Sequence, residues 1–416
     1  MYIRASILIV IISLHLISCQ DATENKPAES ATALSASDVA VKDNSFLFDL
    51  NFLKDHDSSL VVLETGRSKI IVSPKYQGKV FTSTADGDSG MSFGWVHYKA
   101  FSEPADPHIN AYGGENRVWI GPEGGKFSVF FKKDSKMVFD NWKTPAAFDT
   151  EPWTITAKTN TSVSLLKDHV ELENYAGTQL SFGVIRNIKM LDKEQIKAAV
   201  GLDSDYGAQM VGYSTENILV NNGDQAWTEK TGMPCLWILD MFNPSDNATI
   251  IIPYRDSAAN PATTDYFGEI PADRITYKYS RVFFKADGKS RGKLGIHPAR
   301  AMNVAGSYDA DKKILTITIF DVDNNAKYLN QEWRTDKPAF SGDAVNAYND
   351  GPLATGGQLG PFYEIESVAP AAFLKPHSSM THHHSVFHFT GDEKSLDTIA
   401  QRTLGITLDQ IKTALH

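Results

Sequence analysis

A chain of 416 residues, 42% hydrophobic and 11% aromatic, carries ample material for a packed core, which excludes a disordered or fibrous protein. Its formal charge of −10, with no long basic run, argues against nucleic acid as a partner.

At the N-terminus, Arg4 precedes an apolar run from Ala5 to Ile12 that continues through Leu14 and Leu16 and ends in Leu16-Ile17-Ser18-Cys19. The run is too short for a good membrane span and has the layout of a signal peptide over residues 1–18. A Leu three residues before the cysteine and a small residue directly before it resemble the bacterial lipobox. That implies cleavage before Cys19, lipidation of its thiol and a membrane-anchored place in the cell envelope, periplasmic or surface-exposed. Residues 19–43, rich in Ala, Ser, Thr, Asp and Glu, cannot bury a core and read as a flexible tether. Residues 44–416 are then expected to fold as one domain. With Cys19 committed to lipid, Cys235 has no partner for an intramolecular disulfide, and its place in the apolar run Met233 to Phe242 marks it as core.

Folding is expected to begin with a short amphipathic helix from Phe46 to His56. After it β patterns dominate: Leu60–Glu64, Lys69–Val72, Lys79–Ser83, Phe93–Tyr98, Arg117–Ile120 and Phe127–Phe131 are short, rich in Val, Ile and aromatics, and separated by Gly, Asp and Ser turns. The texture continues through Trp153–Ala157, Ser162–Lys167, His169–Asn174, Gln179–Leu191, Gln209–Val220, Cys235–Phe242, Thr249–Pro253, Ile275–Lys285, Lys293–Ile296, Ala301–Tyr308 and Lys313–Asp321. Helical patterns are confined to Lys193–Val200, Ser395–Leu404, with Ser395 as its N-cap and Gly405 as its stop, and Thr407–Leu415. Strand and helix do not alternate and no repeat is visible, which disfavours a parallel α/β sheet and a propeller. The expectation is a mainly β protein, a large antiparallel sandwich with a few short helices.

Two stretches carry chemistry. In His108 to Phe131, two Gly-Gly pairs and a Pro bring the polar groups of His108, Asn110, Glu115, Arg117 and Glu123 beside Tyr112 and Trp119. A many-hydroxyl ligand needs that combination, because hydroxyls take hydrogen bonds while aromatic faces cover C–H surface. The alternative is a pair of hairpin turns with ordinary surface charges. In the second stretch, Glu364 and Glu366 share one face of an extended strand. If that face lines a cleft, mutual repulsion and burial raise the pKa of at least one toward the range useful for proton transfer; otherwise they are a solvent-facing pair. His382, His384 and His388 share one face of the next strand and His383 takes the other, and the Pro376–Ser379 turn suggests a hairpin returning beside the Glu strand. These imidazoles read as acid/base groups, as a divalent-metal pair formed by His382 and His384, or as packed histidines. No G-x-S-x-G elbow, phosphate loop or dinucleotide fingerprint is present.

The order of these features, G-G-E-N-R-V-W-I-G-P-E-G-G after H-x-N, then R-A-M-N-V-A-G-S-Y-D, then Y-E-I-E-S-V-A-P, L-K-P and a His-rich strand, resembles a Bacteroidetes lipoprotein family of unknown function. That family in turn resembles the galactose mutarotases of the aldose 1-epimerase superfamily. The resemblance implies a β-supersandwich whose concave sheet binds carbohydrate, with no required cofactor. It also implies a late Glu that takes the anomeric proton, a His that donates to the ring oxygen, and an Arg that positions the sugar. Matched residue by residue, Arg117 is the substrate Arg and Glu366 the base, with Glu364 as the fallback. The family's His-Pro pair has no counterpart in context, so His108, His382 and His384 are rivals for the acid. Asn110, Glu115, Trp119 and Glu123 are expected to contact the sugar. The functions implied are a mutarotase-like isomerase, a lyase-like enzyme, or a non-catalytic carbohydrate binder.

Overall fold

Three antiparallel sheets carry the chain in the computed structural model, which describes residues 44–255, 261–353 and 356–415. The expected signal peptide, the tether and Cys19 lie outside the described residues. Ten strands form the largest sheet, in the order Ile275–Lys278, Arg281–Lys285, Ala248–Pro253, Val304–Asp309, Ile314–Phe320, Ser379–Thr390, Gln209–Asn221, Gln179–Met190, Ser162–Glu173 and Thr154–Lys158. A six-stranded sheet runs Ala262–Thr263, Gly292–Ile296, Val345–Asn349, Tyr363–Val368, Cys235–Phe242 and Arg117–Gly121. The third, Val61–Thr65, Ser68–Ser73 and Lys79–Thr84, reaches the Arg117 strand through a bridge between Val80 and Asn116. The fold is thus mainly β, as expected, with few and short helices. Among the described residues no helix is long and apolar enough to cross a membrane.

Burial explains the two kinds of strand. Along Gln209–Asn221 buried and half-buried positions alternate over most of the length, the period-2 signature of a sheet with one face on the core. Every residue of Cys235–Phe242, Val345–Asn349 and Tyr363–Val368 is buried, so these strands are covered on both faces, which is why Cys-Leu-Trp-Ile-Leu-Asp-Met-Phe reads as a near-continuous apolar run. One cover is the ten-stranded sheet; the other is a set of aromatic loops described below. On its far side the ten-stranded sheet buries Phe283, Leu315, Ile317, Phe387 and Phe389 against Ile196, Val200, Leu396, Ile399 and Ile411 of the helices.

Local chemistry sets the helix ends. Ser45 caps Phe46–His56 by accepting from the Phe48 amide at 3.3 Å, and Asp192 with Gln195 closes a capping box on Lys193–Val200 before Gly201 in the left-handed region. The first C-terminal helix is Glu393–Thr403, and its N-cap is Asp392, not Ser395, whose backbone N–H donates to Asp392 Oδ1 at 2.8 Å. A carboxylate directly before the first helical residue is the stronger acceptor for the first-turn amides.

Several expectations are corrected. Phe93–Tyr98 and Phe127–Phe131 are irregular, held by isolated bridges and turns, and Ile275–Lys285 is a hairpin turning at Tyr279 and Ser280, both with positive φ. The Val345–Asn349 strand was hidden by its polar alternation, Val-Asn-Ala-Tyr-Asn. The histidine strand does not return beside the Glu strand: Ser379–Thr390 pairs with Gln209–Asn221 and Ile314–Phe320 in the ten-stranded sheet, while Tyr363–Val368 pairs with Val345–Asn349 and Cys235–Phe242 in the six-stranded one. The ten residues between these strands cross from one layer to the other instead of making a tight hairpin turn.

Candidate functional site

The register of the six-stranded sheet assembles a site from residues far apart in sequence. Arg117 and Glu366 both lie opposite Leu239, and Lys293, Tyr348, Glu364 and Met241 form the adjacent row across four strands. Period 2 then sends Arg117, Trp119, Trp237, Leu239, Met241, Lys293, Tyr348 and Glu364 to one face, where all eight line a cleft of about 650 Å³ counting its open mouth. Loops close its walls with Phe139, Trp142, Phe267, Trp333 and Phe362, and add Glu123 and Arg291.

At the floor, Arg117 Nη2 donates to Glu364 Oε1 at 2.8 Å, and the guanidinium lies 4.4 Å from the centre of the Trp119 ring. Lys293 Nζ and Trp237 Nε1 both donate to Glu366 Oε2 at 2.9 Å, and the ammonium sits 4.5 Å from the Trp237 ring centre. Glu366 is fully buried beside the cleft, whereas Glu364 lines it. Burial pushes Glu364 up to about 7 against the pull of Arg117, with the charge of Glu366 adding to the rise. Burial also raises Glu123, opposed by Lys293 and Trp333. Lys79, set beside Arg117 by the Val80–Asn116 bridge, is pushed down to about 7 by burial and by the Arg117 charge. Four buried polar atoms of this floor and wall, Arg117 Nε, Glu366 Oε1, Trp142 Nε1 and Trp333 Nε1, have no hydrogen-bond partner. Buried polar atoms are rarely left so in a finished core, and a polar ligand or water satisfies them at a binding site.

Aromatic rings give the cleft its surface. Trp142 stacks between Phe130 at 5.5 Å and Trp333 at 5.9 Å, and Trp119 meets Trp237 edge-on at 5.5 Å. Flat apolar walls around a few charged groups match what a sugar ring offers, C–H faces and hydroxyl edges.

The residues singled out from sequence divide. Arg117, Trp119, Glu123 and Glu364 line the cleft and Glu366 adjoins it. Asn110 does not reach in: its backbone and side-chain N–H groups donate to Asp149 at 2.9 and 2.7 Å, while its neighbours Ile109 and Ala111 form the wall. Glu115 is turned to the other side by the positive-φ pair Gly113 and Gly114, accepting from Ser83 Oγ at 2.8 Å and meeting His388 Nε2 at 3.1 Å. His108 sits at the margin, its Nδ1 2.7 Å from the Trp142 carbonyl and its ring stacked on Phe139. Trp142, Trp237, Arg291, Lys293, Trp333 and Tyr348 went unnoticed in the sequence. Alternation within Cys235–Phe242 and Lys293–Ile296 could have found Trp237 and Lys293; the others depend on loop closure or on a strand without an apolar pattern.

His382 and His384 face the space between the sheets and meet the opposite side of the Glu strand. A consistent proton assignment runs one way: His382 Nε2–H donates to Ser367 Oγ at 2.9 Å, Ser367 donates to His384 Nδ1 at 2.8 Å, and His384 Nε2–H donates to Asp240 Oδ2 at 2.7 Å. Asp240 Oδ1 accepts from Asn116 at 2.6 Å, and Asn116 Oδ1 accepts from the fully buried Arg186, whose Nη1 also donates to Asn217 at 2.7 Å. Burial and the neighbouring His384 push His382 down to about 3, so it stays neutral. Neither histidine therefore reaches the cleft as its acid, and the expected metal pair is occupied by this hydrogen-bond chain. Among the described residues no cluster of three or more His, Cys, Asp or Glu could hold a metal ion.

Residues 44–415 match the family described as "Family of unknown function (DUF6786)", and the chain belongs to that family. No curated protein matches the sequence. Solved structures similar to this one include the Slr1438 protein from Synechocystis sp. PCC 6803, 15% identical over 80% of this chain and 96% of that one, with a TM-score of 0.48. A galactose mutarotase-like protein from Lactobacillus casei ATCC 334 is 11% identical over 79% and 100% of the two chains, TM-score 0.47. Another from Clostridium acetobutylicum is 13% identical over 79% and 94%, TM-score 0.46.

Proposed function

We propose that this member of the family binds a sugar in the aromatic cleft and interconverts its anomers. The observation that carries this reading is the convergence of Arg117, Glu364 and Glu123 on one face of the six-stranded sheet, walled by indole and phenyl rings. Glu364, at about 7, is poised as the base that takes the anomeric hydroxyl proton. Glu123, whose pKa burial raises, is suited to give a proton to the ring oxygen. The anomeric C–O bond to the ring then opens to a carbonyl, and the reverse steps close it on either face, so protons and electrons balance. In this reading two carboxyls take the acid and base parts and Arg117 holds the sugar. The sequence resemblance to the galactose mutarotases points to the same chemistry.

The test is Glu364→Gln, which keeps the size and the acceptor for Arg117 but cannot take a proton. Anomer exchange followed by NMR across a panel of sugars should fall by about a hundredfold or more with affinity little changed. A wild-type protein that binds a sugar and converts none of the panel is a binding module instead. The protein is further proposed to work in the cell envelope, tethered through lipid on Cys19. Cys19→Ser should move it from the membrane fraction to the soluble one with its melting temperature unchanged, because a tether outside the core contributes nothing to stability.

A further inference from the structure

The cleft holds three cationic side chains, and two of them are matched: Arg117 pairs with Glu364 and Lys293 with Glu366. Arg291 is not. Among the described residues no carboxylate lies within ion-pairing distance of it, although it is half-buried and lines the cleft. Its contacts hold it in one orientation instead. Nε donates to Tyr348 Oη at 3.2 Å, Tyr348 donates to Asp350 Oδ1 at 2.7 Å, and the guanidinium carbon lies 3.8 Å from the centre of the Phe267 ring. Phe267 covers one face of the guanidinium plane and Tyr348 takes the Nε donor, and among the described residues the terminal N–H groups have no protein acceptor.

A fixed guanidinium in an apolar wall without a counter-charge is an anion site. Its terminal N–H groups can bond two oxygens at once, and the surrounding rings exclude the water that screens such a pair. The remaining carboxyl of the cleft, Glu123, makes no ion pair with Arg291 among the described residues, and burial raises its pKa against the pull of Lys293 and, more weakly, of Arg291. We propose that Arg291 anchors an acidic group on the ligand, and that the cleft takes an anionic sugar, a hexuronic acid or a sugar phosphate or sulfate ester, in preference to a neutral one. This deepens the carbohydrate reading above and rests on it. A neutral hexose seated over Arg291 covers it without supplying a counter-charge, whereas an acidic group neutralises it.

Calorimetric titration of the full chain without its signal and lipid distinguishes the cases, with glucose, galactose, glucuronate, galacturonate, glucose 6-phosphate and glucose 6-sulfate as probes. Wild type should bind at least one acidic sugar about tenfold or more tightly than its neutral counterpart. Arg291→Met should erase that preference, weakening the acidic sugar about tenfold or more relative to its neutral counterpart, and Arg291→Lys should keep part of it. A uronate, with its planar carboxylate, bound more tightly than the phosphate or sulfate esters identifies the source as a carboxylate, and the reverse identifies an ester; both support an anion site. Equal affinity for acidic and neutral sugars in wild type overturns the proposal and leaves the carbohydrate reading standing, and needs no variant to fold. Persistence of the preference in folded Arg291→Met also overturns it. Failure of every sugar to bind removes the carbohydrate reading and this inference together.

Discussion

The two faces of the six-stranded sheet present the same kinds of residue to opposite ends. Toward the ten-stranded sheet, Asp240 and Ser367 join His384, His382, Asn116 and Arg186 in a chain whose donors have acceptors, the Nδ1 lone pair of His382 being left over. Toward the cleft, on alternating positions of the same strands, Glu364, Glu366, Lys293 and Arg117 form pairs that leave Arg117 Nε and Glu366 Oε1 unsatisfied. Completeness separates a structural polar network from a functional one: the inner chain has little left to offer a ligand, and the outer set retains unmet bonding capacity next to open space. Histidines and carboxylates are therefore no guide to a site until their partners are known.

Breaking the inner chain should cost the most stability. Asp240→Ala leaves Arg186 without its counter-charge and His384 without its acceptor inside a closed layer, so chemical denaturation should register a loss of about 3–5 kcal/mol. The outer set should behave in the opposite way, losing function and keeping the fold. Glu366→Gln sharpens the contrast, because Glu366 helps to hold the Glu364 proton on. Its amide still accepts from Trp237, but the charge is gone, so the pKa of Glu364 should drop and the rising limb of the pH–rate profile should move to lower pH. An unmoved limb would mean that Glu364 is not the group whose ionisation controls turnover.

The faces should also titrate in opposite senses. Glu364 is raised from 4.5 to about 7, so its folded form holds the proton more tightly than the unfolded chain does, and its contribution to stability is complete below about 4.5 and lost as pH rises through about 7. His382 is lowered from 6.5 to about 3, so its contribution is present above about 6.5 and lost as pH falls toward 3. Denaturation midpoints between pH 4 and 8 should show the acid-side decline flatten in His382→Asn and the decline toward neutral pH flatten in Glu364→Gln. Both variants flattening the same limb would put the two groups in one network and erase the distinction.

Much of this was legible in the sequence, and the limits have physical causes. Parity within a strand is local, so the shared face of Glu364 and Glu366, and that of His382, His384 and His388, could be read directly, as could the fully apolar strand Cys235–Phe242. Which sheet a strand joins is not local. The short link from Val368 to Ser379 looks like a hairpin in sequence, yet it passes between layers, and that crossing alone turned the histidines from cleft residues into core residues. Arg117 and Glu366 could be paired only through the family resemblance, since Leu239 brings them into line from a strand more than a hundred residues from either. Arg291 and Trp333 carry no pattern because loops, which have no period, place them.

The smallest effect is expected at the one histidine that parity sends outward. His383 lies between His382 and His384 and is solvent-exposed, with Nδ1 2.8 Å from Asp321 Oδ2 and Nε2 3.6 Å from Glu216. An exposed ion pair gains little over water and is screened by salt, so His383→Ala should change stability by no more than about 0.5 kcal/mol and leave turnover untouched. His384→Ala, one residue along, removes a buried ring that Phe320 stacks on at 5.6 Å and strands Asp240, and should lose several times as much. The ratio of the two losses measures the parity argument itself, because the residue type is the same and the side of the sheet differs. Comparable losses would require the strand to be displaced by one residue from its register with Gln209–Asn221, which would send His383 inward and dissolve the Asp240 chain.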